Sequence, residues 1–509
     1  MSEPSRKQQL YSKPSPGALL ALFGVLGVAL ALRLWGLGRE SLWLDEATSL
    51  KLARMPVATL VAWTAQDIHP PLYYVLLHFW RVLGESEVAL RGLSVLAGVL
   101  GVGLTYFLGQ QLFDEWVGLA GALLLAVAPL HIWYSQEVRG YAWLTSFGLL
   151  ALYGVARLVV GVSSSARKGE ALAWGAYILG ATAAWYVHYY AVFIILAANA
   201  VVVATVLRRR RPLAFLVPWA VAQVAILILY LPWMPAFLRP ILTGSGGWVA
   251  EIGSPTPSTL STTMVSFIVG GAQPWLPVLL RRPTYLAFMV ALGLGVAWGV
   301  WPGKDEEARR RRDGVLLAAL YFALPVGTAW LISQLKPLFA WRYLVPFLPP
   351  FLILVGRGAM IFRRVVLRLL ALAVLLVAPL WATAEQVRHL ENPDWRGLAL
   401  QLLAEARPGD VITFMPGWNE KPLDYYLRGR IPIGDYVPEP LSPAATEHAL
   451  RVIDRTMVAY RRIWLLWAKG HYTDPNGIIA SYLDQHARRV QERTVPGVGE
   501  LILYDLDRK

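Results

Sequence analysis

The chain has 509 residues, of which 56% are hydrophobic, 12% aromatic and only 16% charged; a mean hydropathy of +0.47 excludes an ordinary soluble domain and indicates a polytopic membrane protein. The formal charge of +14 does not point to nucleic acid, because the arginine clusters fall between apolar runs, where the positive-inside rule puts them. Cysteine is absent, which excludes disulfides and thiolate metal sites and leaves His, Asp and Glu as metal-ligand types.

In chain order, the first element is an apolar run from Ala18 to Leu37 behind Arg6, Lys7 and Lys13. It is too long for a signal-peptide core and ends without a small-residue cleavage site, so it reads as a retained span behind a cytoplasmic tail, 1–16. A bilayer core needs about 20 helical residues. Runs of that order recur at 90–113, 116–133, 141–160, 171–187, 190–207, 213–237, 284–302, 314–333, 343–360 and 365–384. The expected fold is a polytopic α-helical bundle of about 11 transmembrane helices, a membrane domain over 17–384 whose first external loop is 38–89. Basic clusters at Arg6/Lys7/Lys13, Arg167/Lys168, Arg208 to Arg211, Lys304 with Arg309 to Arg312, and Arg357/Arg363/Arg364/Arg368 fall on one side if each run spans once. That side is the cytoplasm, which puts the N-terminus inside and the chain after about residue 385 outside a cell or inner membrane. The segment 239–283 is rich in Gly, Pro, Ser and Thr and is expected to be an external loop with a re-entrant or interfacial piece.

From 385 to 509 charges become frequent. The β-like runs "DVITF" (410–414), "RIWLLWA" (462–468) and "ELILYDL" (500–506) alternate with helix-like "DWRGLALQLLAEA" and "AATEHALRVIDRTMVAY", the pattern of a small external α/β domain. It contains no GxGxxG or Walker-type loop, so no nucleotide is assigned to it.

This topology gathers polar residues at the outer helix ends: Asp45, Glu46, Lys51, Arg54, Asp67, His69, His78 and Arg91; then His131, Tyr134, Gln136, Glu137 and Arg139; then His188, Tyr189 and Tyr190; then Lys336 and Arg342. Ionisable groups near hydrocarbon are costly unless paired or wetted, and their gathering suggests a polar cavity at the external leaflet. Each also has a plainer reading. Lys51, Arg54 and Arg81 read as snorkelling anchors, Asp45 as a helix N-cap, His69 before Pro70-Pro71 as a helix entry, and His78 and His131 as interfacial residues. The tyrosines of "WYVHYY" read as an aromatic belt. Carboxylates among fixed cations suit one chemistry in particular. A carboxylate deprotonates a hydroxyl or holds a divalent cation, and Arg and Lys neutralise a departing phosphate. A polyprenyl-phosphate sugar meets both needs, with its chain in the bilayer.

The motifs "SLWLDEA", "HPPLYY", "ALRGLS", "YSQEVRGYA" and "WRYLVPFLPPFLIL", in this order, resemble the bacterial members of the dolichyl-phosphate-mannose protein mannosyltransferase superfamily, the PMT-like and ArnT-like GT-C glycosyltransferases. The resemblance covers most of 17–384. It implies an inverting transfer of a hexose or pentose from a polyprenyl-phosphate donor to a hydroxyl acceptor, whether protein, glycolipid or envelope glycan. The family's acidic signature falls on Asp45 and Glu46. Asp45 is then the general base; Glu46 orients it or holds the sugar or a divalent metal ion. Arg91, with Arg139, Lys336 or Arg342, binds the lipid phosphate, His69 lines the donor pocket or joins the metal, and Glu137, Tyr134 and His188 complete the substrate site. The segment 239–283 is too short for the β-trefoil domain of the eukaryotic enzymes, which leaves a protein acceptor open to doubt. The rival readings are a lipid-linked sugar flippase, for which no internal repeat is found, and a non-catalytic polyprenyl-sugar-binding subunit.

Overall fold

Polar caps set where the membrane helices begin. The Ser15 hydroxyl accepts from the N–H of Ala18 at 3.1 Å, and the Asp114 carboxylate accepts from the N–H groups of Trp116 and Val117, both at 2.9 Å, so each takes up donors that a helix start leaves unpaired. The computed structural model describes residues 14–506 except 161–166, 209–210, 244–252, 273–275, 304, 390–391, 436–442, 469–473 and 475. Arg6, Lys7, Lys13, Arg209, Arg210 and Lys304 therefore lie outside the described residues. The chain divides into two units, 1–37 with 55–389, and 38–54 with 390–509.

In the first unit, Pro16–Leu34, Glu87–Leu112, Tyr141–Val159, Leu213–Pro240, Val278–Val300, Glu306–Ile332 and Val365–Arg388 are long and apolar enough to cross a bilayer; Glu115–Ala126 and Pro129–Ser135, bent by 63°, make an eighth candidate as a pair. By this measure the described residues hold seven or eight spans where the sequence suggests about 11. The other three runs are also helical, as Arg167–Val187, Ala191–Leu207 and Leu348–Ala359. The first opens on the polar "RKGE", and the last two have 17 and 12 residues, short of the roughly 20 that a perpendicular span needs. The expected loop 239–283 contains a further helix, Pro257–Val269, of 13 residues.

Close packing is made with glycine. A Cβ on Gly154 would stand 2.6 Å from both the Ala173 carbonyl oxygen and the Tyr177 nitrogen, so Tyr141–Val159 and Arg167–Val187 meet backbone to backbone. Gly154→Val is expected to cost about 1–3 kcal/mol through overpacking, read as a lower melting temperature of the purified protein in detergent.

Several arginines of the clusters assigned to the cytoplasm gather at one end of this bundle. Ser15 donates from its N–H to Glu115 at 3.1 Å, Arg310 donates to the carbonyls of Gln110 and Gln111 at 3.3 and 2.9 Å, and Arg357 lies 4.3 Å over the Phe113 ring. Arg208 pairs with Asp313 at 3.7 Å, and Arg211 donates to the Leu158 carbonyl. Arg139, His188 and Arg342 lie at the opposite ends of the same helices, before Tyr141–Val159, after Arg167–Val187 and before Leu348–Ala359.

The second unit is built on a four-stranded sheet ordered β1 (Asp410–Met415), β2 (Arg462–Trp467), β4 (Gly499–Asp505), β3 (Arg488–Val495). β1 and β2 are parallel; β4 runs antiparallel to both of its neighbours. Alternation along the strands feeds two cores. Ile412, Phe414, Trp464 and Leu466 pack with Trp395, Leu398 and Leu423, while Val411, Ile463 and Leu465 pack with Val452, Ile453 and Leu483. The helix-like runs at 394–406 and 444–460 form Trp395–Glu405 and Pro443–Ala459. β3, "RRVQERTV", has no apolar alternation to announce it because it is an exposed edge strand, protected from further pairing by its charges.

Asp410 anchors the start of β1. Its carboxylate accepts from Arg462 at 2.6 and 2.7 Å, from the Trp464 indole at 2.9 Å and from the Arg407 N–H at 3.0 Å. Burial alone would raise its pKa, but these donors hold it below the ordinary carboxylate value. A depressed native pKa contributes stability that is present above the unfolded value, about 3.9, and is lost as the pH falls through the native value. Melts of this unit are expected to fall steeply below about pH 4, and less steeply for Asp410→Asn.

Residues 38–54 belong to this second unit. The Leu42 N–H donates to the Tyr426 hydroxyl at 2.7 Å, Ser41 donates to Asp394 at 3.3 Å, and Arg396 donates to the Gly38 carbonyl at 3.1 Å. Lys51 pairs with Glu420 at 2.8 Å. It is an ion-pair partner in the second unit rather than a snorkelling anchor, because its ammonium has a carboxylate in reach.

Candidate functional site

The acidic pair lies in the first turn of helix Leu44–Ala53. The N-cap is Trp43 rather than Asp45, and the capping carboxylate is that of Glu46, which accepts from the Trp43 N–H at 3.3 Å. Glu46 is fully buried, whereas Asp45 is half-buried at the second helical position. The orphan N–H groups and dipole of a helix start favour negative charge at both positions.

In the membrane unit, Arg139 follows the bent pair of helices and precedes Tyr141–Val159. It is buried, 7% exposed. Its guanidinium donates to His69 Nε2 at 3.0 Å and lies 5.8 Å over the Tyr141 ring, while the Ser94 hydroxyl donates to its carbonyl at 3.1 Å. An Nε2 that accepts from Arg139 places the His69 proton on Nδ1, 3.5 Å from Asp67. Burial would raise the Asp67 carboxyl, but the His69 hydrogen bond, the Ile68 N–H and the Arg139 charge hold it below the ordinary carboxylate range.

Aromatic rings surround this chain of groups. The His188 ring is 5.9 Å from His69, 6.0 Å from Tyr141 and 4.8 Å from Tyr343. Buried Tyr134 lies 4.7 Å from Tyr141 and 6.0 Å from Trp341, and Arg342 lies 6.0 Å from the centre of Tyr343. His69, Tyr134, Arg139, His188 and Arg342 thus form one cluster. Glu137 adjoins it, accepting from the Trp133 indole at 2.6 Å. Two expected residues are held by other groups. Arg91, 3% exposed, donates to the Leu37 carbonyl at 2.7 Å, and Lys336, exposed, donates to the Pro240 carbonyl at 3.3 Å.

Tyr141 and Tyr343 are not singled out by the sequence; the available signal is their place two and one residues after Arg139 and Arg342. His131 is not interfacial. It is fully buried, 2.7 Å from the Arg33 guanidinium, because a broken helix turns it inward. Among the described residues no group of three or more His, Asp or Glu side chains gathers as ligands for one ion.

Residues 68–235 match the family model of the dolichyl-phosphate-mannose-protein mannosyltransferases. No curated protein sequence matches the chain. Among solved structures, ArnT from Cupriavidus metallidurans in the apo state superposes with a TM-score of 0.65 at 13% identity, covering 96% of this chain and 98% of that one. The same protein bound to undecaprenyl phosphate gives 0.60 at 14%, covering 97% and 98%. The Archaeoglobus fulgidus oligosaccharyltransferase in its apo form gives 0.56 at 11%, covering 91% and 70%. The chain is thus a multispan membrane protein with the GT-C fold of ArnT, and residues 68–235 carry the mannosyltransferase sequence pattern.

Proposed function

We propose that this protein transfers a sugar from a polyprenyl-phosphate donor to a hydroxyl acceptor at the external face of the cell membrane, with inversion at C1. Asp45 takes the acceptor's proton, the acceptor oxygen attacks C1, and the C1–O bond breaks as its electron pair leaves with polyprenyl phosphate. Glu46 braces the turn that presents Asp45. Arg139 with His69, and Arg91, Lys336 and Arg342, neutralise the departing phosphate. Tyr134, Glu137 and His188 shape the donor pocket. Basic groups at the opposite helix ends support an N-terminus in the cytoplasm and an external second unit.

The observation that carries this reading is the cluster of a buried arginine, two histidines and tyrosines packed edge-on or tilted at one end of spans with the GT-C fold. Fixed positive charge ringed by aromatic surface suits a phosphate that emerges from lipid attached to a sugar. ArnT has been solved with undecaprenyl phosphate bound, which supports the same donor class here. The test offers purified protein in liposomes a panel of labelled polyprenyl-phosphate hexoses and pentoses beside nucleotide sugars, with envelope lipids and peptides as acceptors. Transfer from lipid-linked donors alone is expected; transfer from nucleotide sugars contradicts the reading.

A further inference from the structure

Arg33, in the last turn of the first span, is wholly buried, where a guanidinium is stable only if its N–H groups find acceptors. All five do: Nε faces the Ser135 hydroxyl at 3.2 Å, one terminal nitrogen the carbonyls of Ala29 and Ala126 at 2.9 and 3.0 Å, and the other the Leu125 carbonyl at 3.4 Å and His131 Nδ1 at 2.7 Å.

Two of these acceptors exist because the neighbouring span is broken. In an unbroken helix the Leu125 and Ala126 carbonyls would accept from the N–H groups of residues 129 and 130. Residue 129 is proline and has no N–H, and the chain bends there by 63° between Glu115–Ala126 and Pro129–Ser135. Carbonyls opened within a membrane need other donors: Leu125 accepts from the Ala128 N–H at 3.3 Å as well as from Arg33 at 3.4 Å, and Arg33 supplies Ala126 at 3.0 Å. Gly98 leaves the room, since a Cβ there would stand 2.7 Å from Arg33 Nε and 2.2 Å from the Ser135 oxygen. The far end of the bent segment returns to the same turn, where Gln136 donates to the carbonyls of Arg33 and Trp35 at 3.0 and 2.9 Å. Between and just beyond these ties lie Tyr134, Glu137 and Arg139.

We propose that Arg33 is a positioning residue of the site: by satisfying the carbonyls of the broken span it holds the segment that presents Tyr134, Glu137 and Arg139 to the donor. The kinetic consequence rests on the glycosyltransferase reading; the structural consequence does not.

The test compares Arg33→Met, Arg33→Lys and Gly98→Ala in the full chain by hydrogen–deuterium exchange, thermal melting, and donor KM and kcat. Arg33→Met is expected to speed exchange across 127–140 while Glu306–Ile332 keeps its wild-type rate. Donor KM is expected to rise by about 10- to 100-fold, as for a small misplacement of binding groups, with a smaller change in kcat. Lysine, which keeps the charge and three of the donors, is expected to recover part of both effects, and Gly98→Ala, which crowds the guanidinium, to reproduce the local exchange pattern more mildly. If Arg33→Met does not fold, the other two variants decide. Unchanged exchange in 127–140, acceleration spread evenly over all helices, or a lysine variant no better than methionine overturns the proposal. A wild type that transfers no sugar removes the glycosyltransferase reading, while the exchange pattern still decides the role of Arg33.

Discussion

Asp45→Asn is expected to lower sugar transfer by about 100- to 10,000-fold, the usual contribution of a general base, with wild-type donor binding and a melting temperature lowered only slightly by the lost charge at the helix start. Asparagine has nearly the shape of aspartate but cannot take a proton from the acceptor. Because the N-cap is Trp43 and the capping carboxylate belongs to Glu46, losing the Asp45 charge leaves the cap bond in place. Glu46→Gln serves as the contrast. It weakens a buried cap at a helix start, costing about 1 kcal/mol of stability, so its effect on transfer comes with a lower melting temperature. The check is a pair of rate and melting measurements on each variant.

Arg139→Met is expected to reduce kcat/KM for the donor by about 100- to 1,000-fold, the scale of losing one preorganised electrostatic partner of a developing anion. The guanidinium is buried, bonded to His69 at 3.0 Å and placed over Tyr141, so its charge is already desolvated and aimed before any donor arrives. Arg139→Lys keeps the charge but not the planar fork, and is expected to recover only part of the loss. Steady-state kinetics with varied donor, together with polyprenyl-phosphate binding to each variant, measures this.

The membrane part of the fold was legible because hydropathy reports burial in lipid directly: all the long apolar runs became helices. The second unit's buried strands were legible for the same reason, since "DVITF" and "RIWLLWA" are core residues. Domain membership was not. Residues 38–54 read as a membrane loop by position, yet contacts such as Leu42 to Tyr426 and Ser41 to Asp394 join segments more than three hundred residues apart in the chain, and no local pattern encodes such pairings. The site was legible as a set of charged residues and opaque as a geometry. Arg139, His69 and Arg342 stand out by type; Tyr141 and Tyr343 look like belt residues until ring distances are known. Arg33 was hidden for a different reason. Inside "ALALRLWGL" a lone arginine reads as the end of a span, and its role depends on carbonyls freed by a proline almost a hundred residues later.

The most direct test of the central claim is a single-turnover reaction in proteoliposomes with a donor labelled on both sugar and lipid, wild type beside Asp45→Asn. Wild type is expected to release polyprenyl phosphate mole for mole with glycosylated acceptor, and Asp45→Asn to bind the donor and release neither. Movement of the intact lipid-linked sugar across the bilayer without cleavage, unaffected by Asp45→Asn, would contradict it.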